Sequence, residues 1–348
     1  MTESAIQGCL LGTALGDAIG LPYEGLSRQR VPKLLGPPQK HRLLFGKGMV
    51  SDDTEHTCMV AQSLIKSSFD PQHFAEDFSK RLRYWLLTLP AGVGLATLKS
   101  ILRLWVGYSP QRSGVYSAGN GPAMRSGILG VVAPSQDVLN TLVHVSTRMT
   151  HSDPKAEAGA SAIALAARFA AGNAQPVPRE YLDFVQDQIG EPELLQLLSQ
   201  VVDSVEAGRS TDEFARTQGW NDKVTGYVYQ TVPVAIHSWL ESPTDFRQAV
   251  MRVIRCGGDT DTTAAIVGGI VGAGVGRSEL PEDWIAGLAE WPRSVAWLDG
   301  LGSSLYQHSI GNLQSKVREL PIGLVFGRNL LFLSVVMSHG FRRLLPPY

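Results

Sequence analysis

The chain has 348 residues, 44% of them hydrophobic and 18% charged, with a mean hydropathy near zero; this supplies a large core in one or two domains and excludes a disordered chain. The 31 basic and 32 acidic residues leave a formal charge of −1, so no global field draws nucleic acid or an anionic membrane, although a local basic patch stays open. Cys9, Cys58 and Cys256, an odd number set among small and apolar residues, fit buried thiols in a reducing compartment, and the expected location is cytoplasmic.

The first stretch, GCLLGTALGDAIGLPYEG, sets Gly8, Gly12, Gly16 and Gly20 four apart on one helical face and ends at Glu24 in a Pro-Tyr-Glu-Gly turn. Each such glycine weakens a helix by about 1 kcal/mol relative to alanine, so close approach by another backbone or a ligand must offset the run. Glu24 follows an apolar stretch and can project its carboxylate into a cleft. After a break at 31–40, SDDT at 51–54 places a hydroxyl and adjacent carboxylates immediately before an amphipathic helix. Apolar residues at three- and four-residue spacing predict helices over 53–67, 72–89, 136–149, 154–172, 190–207, 245–255 and 261–275, with further breaks at 107–122 and 172–180. Alternating β-branched runs are hard to find, and none of the breaks reads as a flexible linker, so the expected fold is all-α and a single domain.

Two further turns precede the last acidic stretch. GNGPAMRSG, 119–127, is a glycine-rich turn whose backbone N–H groups can cradle a phosphate, with positive φ expected at its glycines. THSDP, 150–154, reads as a capping turn before a helix. GGDTDTT, 257–263, then crowds two carboxylates and several hydroxyls against the apolar helix AAIVGGIVGAG. Near the C-terminus, LLFLSVVM at 330–337 spans about half a bilayer between Arg328 and His339, and reads as a buried helix closing the core.

SDDT and GGDTDTT repeat one chemistry about 200 residues apart. Helix capping explains one side chain at each helix start. Each cluster spends two carboxylates and at least one hydroxyl, however, and like charges this close are costly unless protonated, paired or bound to a cation. Oxygen donors without cysteine, and with only His56 nearby, favour magnesium, manganese or calcium over zinc. Two ions about 4 Å apart would use this many carboxylates and form a hydrolytic device.

The ordered set GCLLGTALGDAIGLPYEG, SDDT, GNGPAMR, THSDP and GGDTDTTAA resembles the ADP-ribosylglycohydrolase family over about residues 5 to 276. That resemblance implies a compact helical bundle with a central cleft, two magnesium or manganese ions, and hydrolysis of the glycosidic bond at the distal ribose of an ADP-ribosyl group. It implies metal ligation by Ser51, Asp52, Asp53, Asp259, Asp261 and Thr262, with Asp53 and Asp261 also catalytic and Asp261 the candidate bridge between ions. Glu24 would be the cleft glutamate that acts as base or positions water, Ser117, Gly119, Asn120 and Gly121 would hold the diphosphate, and His151 would touch the ADP-ribose. Ser51 stands where the family commonly has threonine, which bears on packing more than on ligation. The implied partner is an ADP-ribosylated protein, nucleic acid or small molecule, with arginine the leading acceptor, no membrane and no nucleotide cofactor.

Overall fold

The glycine face of the first helix, Glu3–Gly20, packs antiparallel on the helix Thr260–Val275. A Cβ added at Gly8, Gly12, Gly16 or Gly20 would fall under 3.0 Å from the carbonyl oxygens of Gly272, Gly268, Ala264 and Thr260 respectively. The partner that offsets the glycines is therefore another backbone. Alignment of these four pairs also fixes what meets at the end of the crossing: the carboxyl end of the first helix lies against the amino end of the second, and Thr260 Oγ1 donates to the Gly20 carbonyl at 2.9 Å.

The structure, a computed structural model, describes residues 1–173, 175–312 and 316–343. Among these there are 18 α-helices and no β-strand, in a single compact domain. Helices Pro154–Gly172, Gly127–Val132 and Val295–Ser309 surround the central pair, and one continuous apolar core runs through them. The seven helices expected from periodicity are all present, from Asp52–Ser67 to Thr260–Val275, with ends shifted by a few residues. The break at 31–40 holds a six-residue helix, Arg30–Leu35, too short for a periodic signal. Cys9, Cys58 and Cys256 are free and buried, and burial pushes each thiol up to about 12, so all three behave as small apolar side chains.

One expectation is overturned. The run 330–337 lies in the helix Ile322–Arg342, of which only a narrow stripe including Val325, Arg328, Asn329, Phe332 and His339 is buried; Leu330, Leu331, Leu333 and Met337 are exposed. Phe332 joins Leu21 and Met49 in a small separate cluster, so the helix does not close the main core. The helix is apolar on nearly every face, and hydropathy alone could not mark which face turns inward. Residues 344–348, the end of that expected helix, lie outside the described residues.

Candidate functional site

Where the two central helices cross, the chain leaves Gly20 through a short 3₁₀ turn, Leu21–Tyr23, and reaches Glu24. Hydrogen bonds from Gly25 N to Gly258 O at 2.6 Å and from Gly258 N to Leu26 O at 2.7 Å tie this turn to the segment before Asp259. Gly258 has φ 87° and presses so closely on Val224 O that no side chain fits. Glu24 is thus held beside Asp259, and the surrounding protein together with the Asp259 carboxylate raises its pKa, against a smaller opposing pull from Arg343.

The two acidic clusters meet. Thr262 Oγ1 donates to Asp53 Oδ2 at 3.2 Å across 209 residues of sequence, and Ser51 Oγ lies 3.0 Å from the same oxygen. Ser51 is the N-cap of Asp52–Ser67 and accepts from Asp53 N at 3.3 Å, so capping accounts for the serine. It does not account for Asp259, which stands at the start of Thr260–Val275 without a capping hydrogen bond. Burial, reinforced by neighbouring carboxylates, pushes Asp52, Asp53 and Asp261 well above the usual carboxylate range.

Among the described residues, Asp53 Oδ1 and Asp261 Oδ1 are buried with no hydrogen-bond partner. Buried carboxylate oxygens left bare are costly, and their all-oxygen surroundings fit a hard divalent cation. No three acid, imidazole or thiol side chains among the described residues already converge as a ready ligand set, so a cation would have to draw the carboxylates inward.

A cavity of about 580 Å³ opens over this junction. Its wall includes Glu24, Ser51, Asp52, Asp259, Asp261 and Thr262, and also Ser117, Gly119, Asn120, Gly121 and His151. Asp53 is the one expected site residue missing from the wall; it lies behind it, 1% exposed. His56 belongs to the core, edge-on to Trp85 with ring centroids 4.5 Å apart.

The loop at 119–121 differs from expectation in two ways. Neither Gly119 nor Gly121 has positive φ; a Cβ there would instead press on the His151 ring, 3.1 Å from Nε2 at Gly119 and 3.0 Å from Cε1 at Gly121, so a side chain at either position needs the ring to shift. Asn120 does not offer its backbone N–H to a ligand, since that group donates to Gly226 O at 3.0 Å. Its side-chain amide donates to Asp259 Oδ2 at 2.7 Å and to Thr231 Oγ1 at 3.0 Å, so Asn120 orients an acid.

Three residues were missed from the sequence. Asp17, fully buried in the glycine-rich helix, accepts from Ser51 N at 3.0 and 2.8 Å, from Thr54 N at 3.3 Å and from Thr54 Oγ1 at 2.5 Å; burial raises its carboxyl to about 7 against these bonds. Arg125, the last residue of GNGPAMR, is buried without a carboxylate at ion-pair distance among the described residues. It donates to Ser146 O at 2.8 Å, Thr150 Oγ1 at 2.7 Å and Gly121 O at 3.2 Å, and burial lowers it to about 9. Lys223 is the cation on the cavity wall. A lone acid inside LLGTALGDAIG was the available signal for Asp17, because a carboxylate in a buried helix needs donors.

A family model described as ADP-ribosylglycohydrolase matches residues 1–314. A protein of Archaeoglobus fulgidus described as uncharacterized is 30% identical, over 88% of this chain and 97% of its own. The ADP-ribosyl-[dinitrogen reductase] glycohydrolase of Rhodospirillum rubrum is 25% identical over 81% of this chain and 89% of its own, and ADP-ribosylhydrolase ARH3 of Gallus gallus is 27% identical over 80% and 87%. A solved structure of an ADP-ribosylglycohydrolase-related protein complex superposes with a TM-score of 0.65 at 25% identity, covering 88% of this chain and 98% of that one.

Proposed function

Because the chain belongs to the ADP-ribosylglycohydrolase family, we propose that it hydrolyses the glycosidic bond between the distal ribose of an ADP-ribosyl group and an acceptor, with arginine-linked ADP-ribose on a protein as the leading substrate. One observation carries the reading: residues from five separated segments, around Glu24, Asp52, Gly119, His151 and Asp261, share the wall of one cavity. A volume of about 580 Å³ suits a nucleotide-sized ligand.

Ser51, Asp52, Asp53, Asp259, Asp261 and Thr262 would hold two magnesium or manganese ions. Bound there, such ions supply positive charge for the ribose hydroxyls and ease deprotonation of a water. Asn120 keeps Asp259 aimed at the site, and Asp17 fixes the backbone that presents Ser51. Glu24 accepts a proton from the attacking water as its oxygen bonds to the anomeric carbon; the bond to the acceptor breaks, and the acceptor leaves with the electron pair and takes up a proton.

The diphosphate lies along Ser117, Gly119 and Gly121 beside His151, where Lys223 offsets part of its charge. The Arg125 guanidinium, bonded to the Gly121 carbonyl from behind, contributes a fixed positive potential. Leu21, Leu95 and Val336, also on the wall, offer a planar base an apolar surface.

The decisive experiment incubates the protein with ADP-ribose linked to arginine, to serine, to acetate and to a nucleobase, with magnesium, with manganese and with chelator, and measures released ADP-ribose. Metal-dependent release from the arginine conjugate supports the full reading. Release from another conjugate alone changes the acceptor, and binding of ADP-ribose without release from any would make the chain a silent reader.

A further inference from the structure

The helix Ile322–Arg342 lies beyond the residues that the family model matches, and it carries a second apolar face. Phe326, Leu330, Leu333, Met337 and Phe341 follow one another at three- and four-residue spacing and all are exposed, Phe341 by 65%. Phe45 stands fully exposed in a neighbouring turn, and it borders a groove with Lys40, Arg42, Ser338 and Arg342. Segments 25–50 and 320–343 contain no aspartate or glutamate, although the whole chain carries a formal charge of −1. Of the cations in these segments, Arg28 and Arg328 are buried and paired with Asp212 and Glu290, whereas Lys40, Arg42 and Arg342 line the groove beside Phe45 without a carboxylate on its wall.

Apolar anchors bordered by cations complement an anionic bilayer, in which both terms favour binding. A second copy of the chain would instead bring like charges together across the same face. We propose that the exposed face of Ile322–Arg342, with Phe45 and the adjoining cations, docks on an anionic lipid bilayer with the helix lying in the plane of the headgroups.

Length and hydropathy would also permit this helix to cross a membrane, but its ion pairs oppose that. Arg328 Nη2 is held by Glu290 Oε2 at 2.7 Å and by Val50 O at 2.6 Å. Spanning would strip both contacts and place a guanidinium in hydrocarbon. Lying in the plane keeps the buried stripe on the protein and gives only the exposed face to lipid.

Sedimentation of the full chain with vesicles tests the proposal. Wild type should bind vesicles of mixed phosphatidylglycerol and phosphatidylcholine, bind pure phosphatidylcholine weakly, and release as salt is raised. Leu330→Glu together with Leu333→Glu should weaken binding at least about tenfold, and Lys40→Glu or Arg342→Glu by about fivefold each, with melting temperatures near wild type because these side chains face solvent. Phe45→Ser, on a separate element, should weaken binding in the same direction. Failure of wild type to bind the anionic vesicles, equal binding to neutral ones, or wild-type binding by the Leu330→Glu, Leu333→Glu protein overturns the proposal. A wild-type dimer that those same substitutions split, seen by light scattering, would assign the face to a second copy instead.

Discussion

Both carboxylate oxygens of Asp17 accept the backbone N–H of Ser51, at 3.0 and 2.8 Å. The first helix thereby holds the N-terminus of Asp52–Ser67 through one buried acid, and the Ser51 hydroxyl is left to face Asp53. The position of one half of the acidic junction depends on a carboxylate outside it.

Replacing Asp17 by alanine should leave the N–H groups of Ser51 and Thr54 buried without acceptors. Each such orphan costs about 1–3 kcal/mol, so the variant should lose about 3 kcal/mol of stability in denaturant unfolding. Manganese affinity, measured by titration calorimetry on the folded protein, should fall as well. A variant as stable as wild type would show that water replaces the carboxylate and that Asp17 is dispensable for presenting Ser51.

Asp261→Asn removes a negative charge at nearly constant volume from a carboxylate whose Oδ1 has no hydrogen-bond partner in the protein. Hydrolysis of ADP-ribosyl-arginine should fall at least about 100-fold, a loss of about 2.7 kcal/mol of transition-state stabilisation. The fold should survive, as read by circular dichroism. Wild-type turnover in excess chelator would remove the metals from the mechanism altogether.

Glu24→Gln keeps size and hydrogen bonding while abolishing basicity. Turnover should drop at least about 100-fold, the lower range for lost general-base catalysis, while ADP-ribose affinity stays close to wild type in calorimetry. Equal losses of affinity and rate would identify Glu24 as a ligand-positioning group.

A Cβ at Gly121 would press on the His151 ring, so Gly121→Val and His151→Ala should not act independently. Gly121→Val alone should weaken ADP-ribose binding by at least about tenfold, and adding His151→Ala should recover part of the lost stability, giving a coupling of about 0.5–3 kcal/mol. Additive effects on the melting temperature would mean that the ring moves aside freely. Unchanged ADP-ribose affinity in well-folded Gly121→Val would take the diphosphate away from this loop.

The helices and both acidic clusters were legible because periodicity and residue chemistry are local signals. SDDT and GGDTDTT announced surplus carboxylates, and Glu24 stood out at its turn. What pairs with what was not local. Asp17 sits in a helix of small residues where nothing in the spacing names its partner 34 residues away, and Asn120 looked like part of a backbone cradle because its link to Asp259 crosses 139 residues. The outer face of Ile322–Arg342 was misread for a different reason: an apolar composition records a preference for leaving water, and the occupant that satisfies it need not be the chain's own core.

The crossing of Glu3–Gly20 with Thr260–Val275 also constrains the order in which the molecule can be made. The contact between Thr260 and Gly20 spans 240 residues, and at translation rates of about 5–20 residues per second the first helix waits roughly 10–50 s for its partner to be synthesised. Throughout that interval its glycine face has no backbone to pack on, and Ser51 to Asp53 have no opposing Thr262. Closure is a late, high-contact-order event, so fragments released before it should be unable to assemble the junction, and a helper that shields the first helix on the ribosome should raise the yield of active chain more than one that acts on any later segment.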